Sequence, residues 1–199
     1  MPATLPHPVP DLCHTAPPLV VRRLLVDLAT PLPRHWNGGD AFRTALFNAL
    51  SMSFPVGEQF FIDAVRAGLA ALPAEQRARF QAEVRGFVGQ EATHRHLHGM
   101  YNAHLTHQGL VNHWGPRAER RLERGRRMLF EKSDKGYLHE LAMTAAYEHY
   151  TSIFGDLTLE RVDQPGDWLA GAEDPLKTLW RWHAAEESEH KCVAFDLYQ

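Results

Sequence analysis

Residues 180–192 read WRWHAAEESEHKC, and the fold turns on how that stretch is read. Ala, Glu, Lys and Arg are strong helix formers, so it reads as a helix. On that helix His183, Glu187 and His190 share one face with the core-type residues Trp180 and Ala194. Such a stripe is expected to face the interior, where a lone charge costs several kcal/mol. Something should compensate it, and a metal ion is one candidate.

The rest of the chain supplies three comparable helices. A long apolar-periodic segment runs from about 41 to 71, opened by Asp40 as N-cap after the turn WNGGD, with Pro55 inside it as an expected kink. On its apolar face Glu58 stands among Phe54, Phe61, Ile62 and Val65, out of place unless paired. A second segment restarts at LPAEQ and continues to about His107, where Gly109 breaks it. Its stretch VGQEATHRH places Glu91 and His94 one turn apart. A helix from about 136 to 160 carries Glu148 among Leu141, Thr144, Ala145, Thr151 and Ser152. The final helix starts near Pro175. An Arg-rich segment at about 115–131 and a short helix at 20–29 read as accessory elements. With no period-2 runs, the pattern is all-α, a four-helix bundle with accessory helices. Residues 1–18, with Pro2, Pro6, Pro8, Pro10, Pro17 and Pro18, read as a flexible arm. Residues 19–199 read as one helical domain, a size that supports a proper core.

The order along the chain is Glu, Glu-x-x-His, Glu, Glu-x-x-His, one element per helix. That is the ligand set of a di-metal carboxylate bundle. A residue and its i+3 neighbour project from one helix face, so a carboxylate and an imidazole can reach a shared point. Four carboxylates balance two divalent cations. One Glu-x-x-His pair carries little weight in a chain with 13 His; the conjunction on four helices carries the argument. Oxygen-rich ligands with imidazoles make iron the expected metal, with manganese or zinc open. His183, four before Glu187, is either a further ligand or a supporting histidine. Gln90 and Glu186 each precede a motif glutamate and are placed to accept the free ring N–H of a ligand histidine across the bundle. For Glu186 an exposed acid is an equal expectation. His98 shares a face with His94 and reads as a surface or supporting residue.

The segments SFPVGEQFF, QEATHRHLH, YEHYTS and HAAEESEHKCVAFDLY resemble the bacterial family called predicted metal-dependent hydrolases, a group with a ferritin-like helical arrangement. The likeness covers roughly residues 20–199. His-x-x-x-Glu-x-x-His at 183–190 is also similar to the motif of di-iron N-oxygenases acting on arylamines. Carried over, the resemblance implies a ferritin-like bundle with Glu58, Glu91, His94, Glu148, His183, Glu187 and His190 as metal ligands. Family members usually continue past the final motif, whereas this sequence stops at Gln199.

The remaining signals narrow the function. A net charge of −3 gives no global pull toward nucleic acid or anionic membrane. PRAERRLERGRR, 116–127, reads as a solvated face, with Glu119 and Glu123 in local ion pairs. Cys13 and Cys192 are the only cysteines, so a reducing, cytoplasmic setting is the expectation and Cys192 reads as structural. The apolar window FFIDAVRAGLAAL carries Asp63 and Arg66 and is too short to span a bilayer. Small residues around Glu148 (Ala145, Thr151, Ser152, Gly155), with Phe54, Phe61 and Tyr147 as walls, point to a cavity beside the site. The expected activity is O₂-dependent oxidation of a small organic substrate, with metal-assisted hydrolysis as the alternative and a storage or purely structural metal as the non-enzymatic reading. The expected partners are a small-molecule substrate and, for oxidation, a redox partner; a homodimer is open.

Overall fold

The structure is a computed structural model that describes residues 18–130 and 133–199. The expected arm, apart from Pro18, and Cys13 lie outside the described residues. Six helices follow in order: α1 (Ala41–Ala71), α2 (Ala74–His107), α3 (Gly115–Phe130), α4 (Gly136–Leu159), α5 (Asp174–His190) and α6 (Val193–Tyr198). No strand occurs among the described residues, only an isolated bridge between Asn37 and Ala172. The chain is therefore an all-α bundle: α1 packs on α2 and α4, α4 on α5, and α2 touches α5, while α3 and α6 lie against this set. No described helix is long and apolar enough to cross a membrane.

Local chemistry explains the boundaries. The Asp40 carboxylate accepts the Arg43 N–H and caps α1. Gly109, at φ +82°, lets the chain leave α2. α1 passes unbroken through Pro55. Proline has no N–H, so the Ser51 carbonyl loses its helical donor. Asn102 Nδ2, on α2, donates to that carbonyl at 2.9 Å, and Asn112 Nδ2 donates to the Met52 carbonyl at 2.7 Å. Polar side chains from outside α1 thus satisfy the backbone that Pro55 exposes.

The short helix expected over residues 20–29 is not formed. This segment lies along α2 instead. A Cβ added at Gly86 would stand 2.6 Å from the Leu19 Cβ, so the missing side chain is what admits the segment. The carbonyls of Val20, Leu28 and Leu32 accept hydrogen bonds from Gln90 and His104 on α2 and from Gln108, its C-cap. Those side chains take the place of the helical donors, and the tertiary setting overrides the local helix propensity.

The interior has two apolar cores. One gathers Trp36, Phe47, Leu97, Tyr101, Leu176 and Leu179. The other gathers Phe61, Val65, Val84, Phe87, Leu141 and Val193. Along α1, α2 and α5 the buried Glu58, Glu91, His94, His183, Glu187 and His190 fall between the stretches that feed one core and those that feed the other. A polar belt therefore crosses the middle of the bundle. At the belt α4 and α5 come close: a Cβ on Gly155 would sit 2.8 Å from the Ala184 carbonyl oxygen. Near the last core Cys192 is disulfide-bonded, which departs from the reducing setting expected of two lone cysteines.

Candidate metal centre

Each long helix delivers to the belt the residue its periodicity placed on the inner face. Glu91, His94, Glu187 and His190 offer ligand atoms that all lie within 4.8 Å of one another, and Glu58, His98 and His183 form a second such group. Glu148 joins the first group, its Oε2 3.2 Å from His190 Nε2. Glu187 connects the two: its Oε1 is 2.8 Å from His183 Nε2, 3.5 Å from His94 Nδ1 and 3.7 Å from His190 Nε2. All seven residues singled out in the sequence thus converge, and each is buried. His98, expected at the surface or in support, is fully buried among them.

Each imidazole is tied from behind, so that its other nitrogen faces the carboxylates. Gln90 Nε2 donates to the Val20 carbonyl and to Glu189, which leaves Oε1 to accept the His190 Nδ1–H at 3.0 Å. His190 Nε2 then points at Glu91 and Glu148. Glu186, 1% exposed rather than solvated, accepts the His94 Nε2–H at 3.1 Å and is itself held by Arg22 at 3.0 Å. That leaves His94 Nδ1 toward Glu91 and Glu187.

A longer chain orients His183. Asn102 spends its amide N–H on the Ser51 carbonyl, so its Oδ1 takes the Ser51 hydroxyl proton at 2.8 Å. Ser51 Oγ can then only accept from His98, whose Nδ1 lies 2.9 Å away. A neutral His98 is thereby left with an acceptor Nε2, 2.7 Å from His183 Nδ1, which must be the donor. The lone pair of His183 Nε2 consequently faces Glu187. Ser51 and Asn102 escaped the sequence reading. Ser51 lies seven residues before Glu58, on the same face of α1, which was the signal available.

The donor set fits cations. Among the described residues, nine buried atoms of the belt have no hydrogen-bond partner: both oxygens of Glu58, Glu91 and Glu148, with His94 Nδ1, Glu187 Oε2 and His190 Nε2. At about 1–3 kcal/mol each, their cost rivals the whole net stability of a domain, about 5–15 kcal/mol. Neighbouring ligands on one ion, with bonds of about 2.0–2.1 Å, stand about 3.0 Å apart at right angles and about 3.4 Å apart in a tetrahedron. The belt's N···O separations of 2.8–3.9 Å bracket that spacing, with His190 Nε2 at 3.1 Å from Glu91 and 3.2 Å from Glu148.

Without a cation, protons do the balancing. Burial pushes the Glu58 and Glu91 carboxyls up, and neighbouring carboxylates add to it. Burial likewise pushes Glu148 up to about 8, against the opposing charge of His190. Burial would lower His94, but Glu186, which accepts its Nε2–H, and the nearby charges of Glu187 and Glu91 hold it at about 9. His190 is raised too, because Glu148 and the other carboxylates outweigh its burial. Glu187 stays well below the usual range, since three histidines overcome its burial. His183 falls to about 4, through burial and then the charge of His94.

Against this geometry the comparison with known families is decisive. The family described as predicted metal-dependent hydrolase matches residues 20–199. The chain belongs to that family. No curated protein and no solved structure matches it. For this member of the predicted metal-dependent hydrolases the clustered carboxylates and imidazoles are compatible with a di-metal site.

The tethers behind the imidazoles give a first prediction. Gln90→Leu and Glu186→Ala each remove the acceptor that orients one ring, and metal affinity is expected to fall about 10–100-fold in each. Competition against a chromogenic chelator measures it. Unchanged affinity in both would show that the rings orient themselves.

Proposed function

We propose that this member of the family is a hydrolase whose centre holds two divalent cations through Glu58, Glu91, His94, Glu148, His183, Glu187 and His190. The observation that carries the reading is the belt of unpaired buried donor atoms at the base of a cavity of about 690 Å³, which Glu58, His183 and Glu187 reach. The family's description supports hydrolysis. Cations bound there would supply electrophilic polarisation of a substrate oxygen and a more acidic water.

The chain's own residues do the rest. Glu58, His183 and Glu187 line the cavity, whereas Glu91, His94, Glu148 and His190 are not part of its lining. A substrate therefore meets the centre on the Glu58 and His183 side. Phe54, Phe61, Tyr147, Thr151 and Gly155 wall the cavity as the sequence suggested, while Ala145 and Ser152 do not line it. The walls are largely apolar, and the Ser51–His98 hydrogen bonds keep His183 aimed at the base.

The O₂-dependent oxidation placed first on the sequence stands second here. What favours it is a centre of three imidazoles among carboxylates beside an apolar cavity that His183 lines, a donor set that also suits iron. Purification without added metal or chelator, elemental analysis, and assay of chromogenic carboxylic and phosphoric esters under strict exclusion of O₂ test the proposal. The expected result is ester cleavage without O₂ and its loss in Glu58→Gln. Turnover that begins only on admitting O₂ and a reductant would overturn it.

A further inference from the structure

The cavity carries a second chemistry, at its other end. Arg117 and Arg121, one turn apart on α3, line it together with Glu58, His183 and Glu187. Both arginines are exposed, whereas Glu58, His183 and Glu187 are buried, so the arginines mark the mouth and the belt marks the base. Neither arginine forms an ion pair or side-chain hydrogen bond among the described residues. Their neighbour Arg126 shows the contrast: it is committed to Glu140 and Asp63. Among the described residues, the local pairs expected of Glu119 and Glu123 with the arginines of this helix are not formed, and Arg126 pairs elsewhere. The solvated face read from the sequence is thus, in part, the rim of a cavity.

Between rim and base the lining is apolar. Trp114, Leu122, Met143, Tyr147, Tyr150 and Phe154 all contribute, and four of these side chains stay at least 41% exposed: Trp114, Met143, Tyr147 and Tyr150. A cationic rim, an apolar shaft and a donor-rich base define three successive environments. A guanidinium pair at i, i+4 favours carboxylate or phosphate oxygens, and the apolar shaft excludes polar substrates from the base.

We infer that the substrate is an anionic amphiphile, an apolar chain with a carboxylate or phosphate at one end and the bond to be hydrolysed at the other, held with that anion at Arg117 and Arg121 and the hydrolysable end at Glu58, His183 and Glu187. The inference rests on the functional reading above for what happens at the base. Its hold on the anion is independent of that reading. A cavity of this volume lies in the usual range for medium-sized organic ligands, about 300–1,000 Å³.

Trp114 and Trp180 line the cavity and report on its contents. Titration of the purified protein with dodecanoate, dodecyl phosphate, dodecan-1-ol and dodecyltrimethylammonium, followed by tryptophan fluorescence, tests the inference. Both anions are expected to bind about ten-fold or more tightly than the alcohol, and the cation more weakly still. The stronger of the two anions identifies the natural head group. The double variant Arg117→Gln, Arg121→Gln should bind the anions no better than the alcohol, with the alcohol's affinity and the metal content unchanged. Equal affinity for anion and alcohol in the natural protein, or an anion preference that survives the double variant, would overturn it. Metal content measured on the same samples separates the two readings. Anion preference without bound metal sinks the hydrolase proposal and leaves the amphiphile site standing; bound metal without anion preference does the reverse.

Discussion

Glu187→Ala is expected to reduce metal content to less than about one tenth of that of the natural protein. Among the described residues Glu187 is the one carboxylate whose oxygen stands within 2.8–3.7 Å of His94, His183 and His190 together. Its loss removes a negative charge from both groups of donors and leaves three imidazoles facing one another. Glu58 shares a group of closely spaced ligand atoms with His98 and His183. Glu58→Ala should therefore lower the stoichiometry from about two ions to about one, and Glu148→Ala should weaken the ion on the Glu91 and His190 side. Elemental analysis on samples of matched helicity reads all three. Full occupancy in Glu187→Ala would refute the shared centre.

The second large effect is on stability, and its sign depends on pH. In the metal-free protein Glu148 titrates at about 8 and His94 at about 9, above their ordinary values of 4.5 and 6.5. Groups raised on folding contribute stability that is complete below the unfolded value and lost as pH rises through the folded value. Above pH 7 the unfolded chain has largely released both protons, so the metal-free protein should melt progressively lower from pH 7 to pH 9. His183, lowered to about 4, acts the other way, but only in acid, below the unfolded value of 6.5. Cations replace the protons, so the loaded protein should keep its melting temperature across pH 7–9. At metal near a thousand times Kd, one site contributes about 4 kcal/mol, a rise of about 8–16 °C for a domain of this size. Thermal melts with and without chelator at pH 7 and pH 9 measure it. A metal-free protein that is most stable at pH 9 would contradict the proton balance of the belt.

What was legible in the sequence is what local geometry decides. Glu91 with His94, and Glu187 with His190, are three residues apart, and a helix alone puts each pair on one face. Glu58 and Glu148 stood out as acids in apolar stripes, and α1, α2 and α4 follow their expected spans closely. Gln90 was placed behind a histidine because its position four before His94 fixes its face; which histidine it serves, His190, depended on how α2 and α5 meet. Residues 20–29 misled because their Leu, Val and Arg pattern suits a helix, whereas the groove at Gly86 that captures them belongs to another element. His98 was underrated for the same reason: its partners Ser51 and His183 come from α1 and α5. The arginines of α3 read as solvated because nothing local reveals a cavity beneath them.

The polar belt between the two cores also limits how this protein can change. Swapping one glutamate for leucine leaves its fellow acids and imidazoles stranded, and breaking a buried charge set is far more disruptive than having none. Only simultaneous conversion of the entire layer to hydrocarbon would restore a sound interior, so single-step drift away from ion binding is steeply uphill.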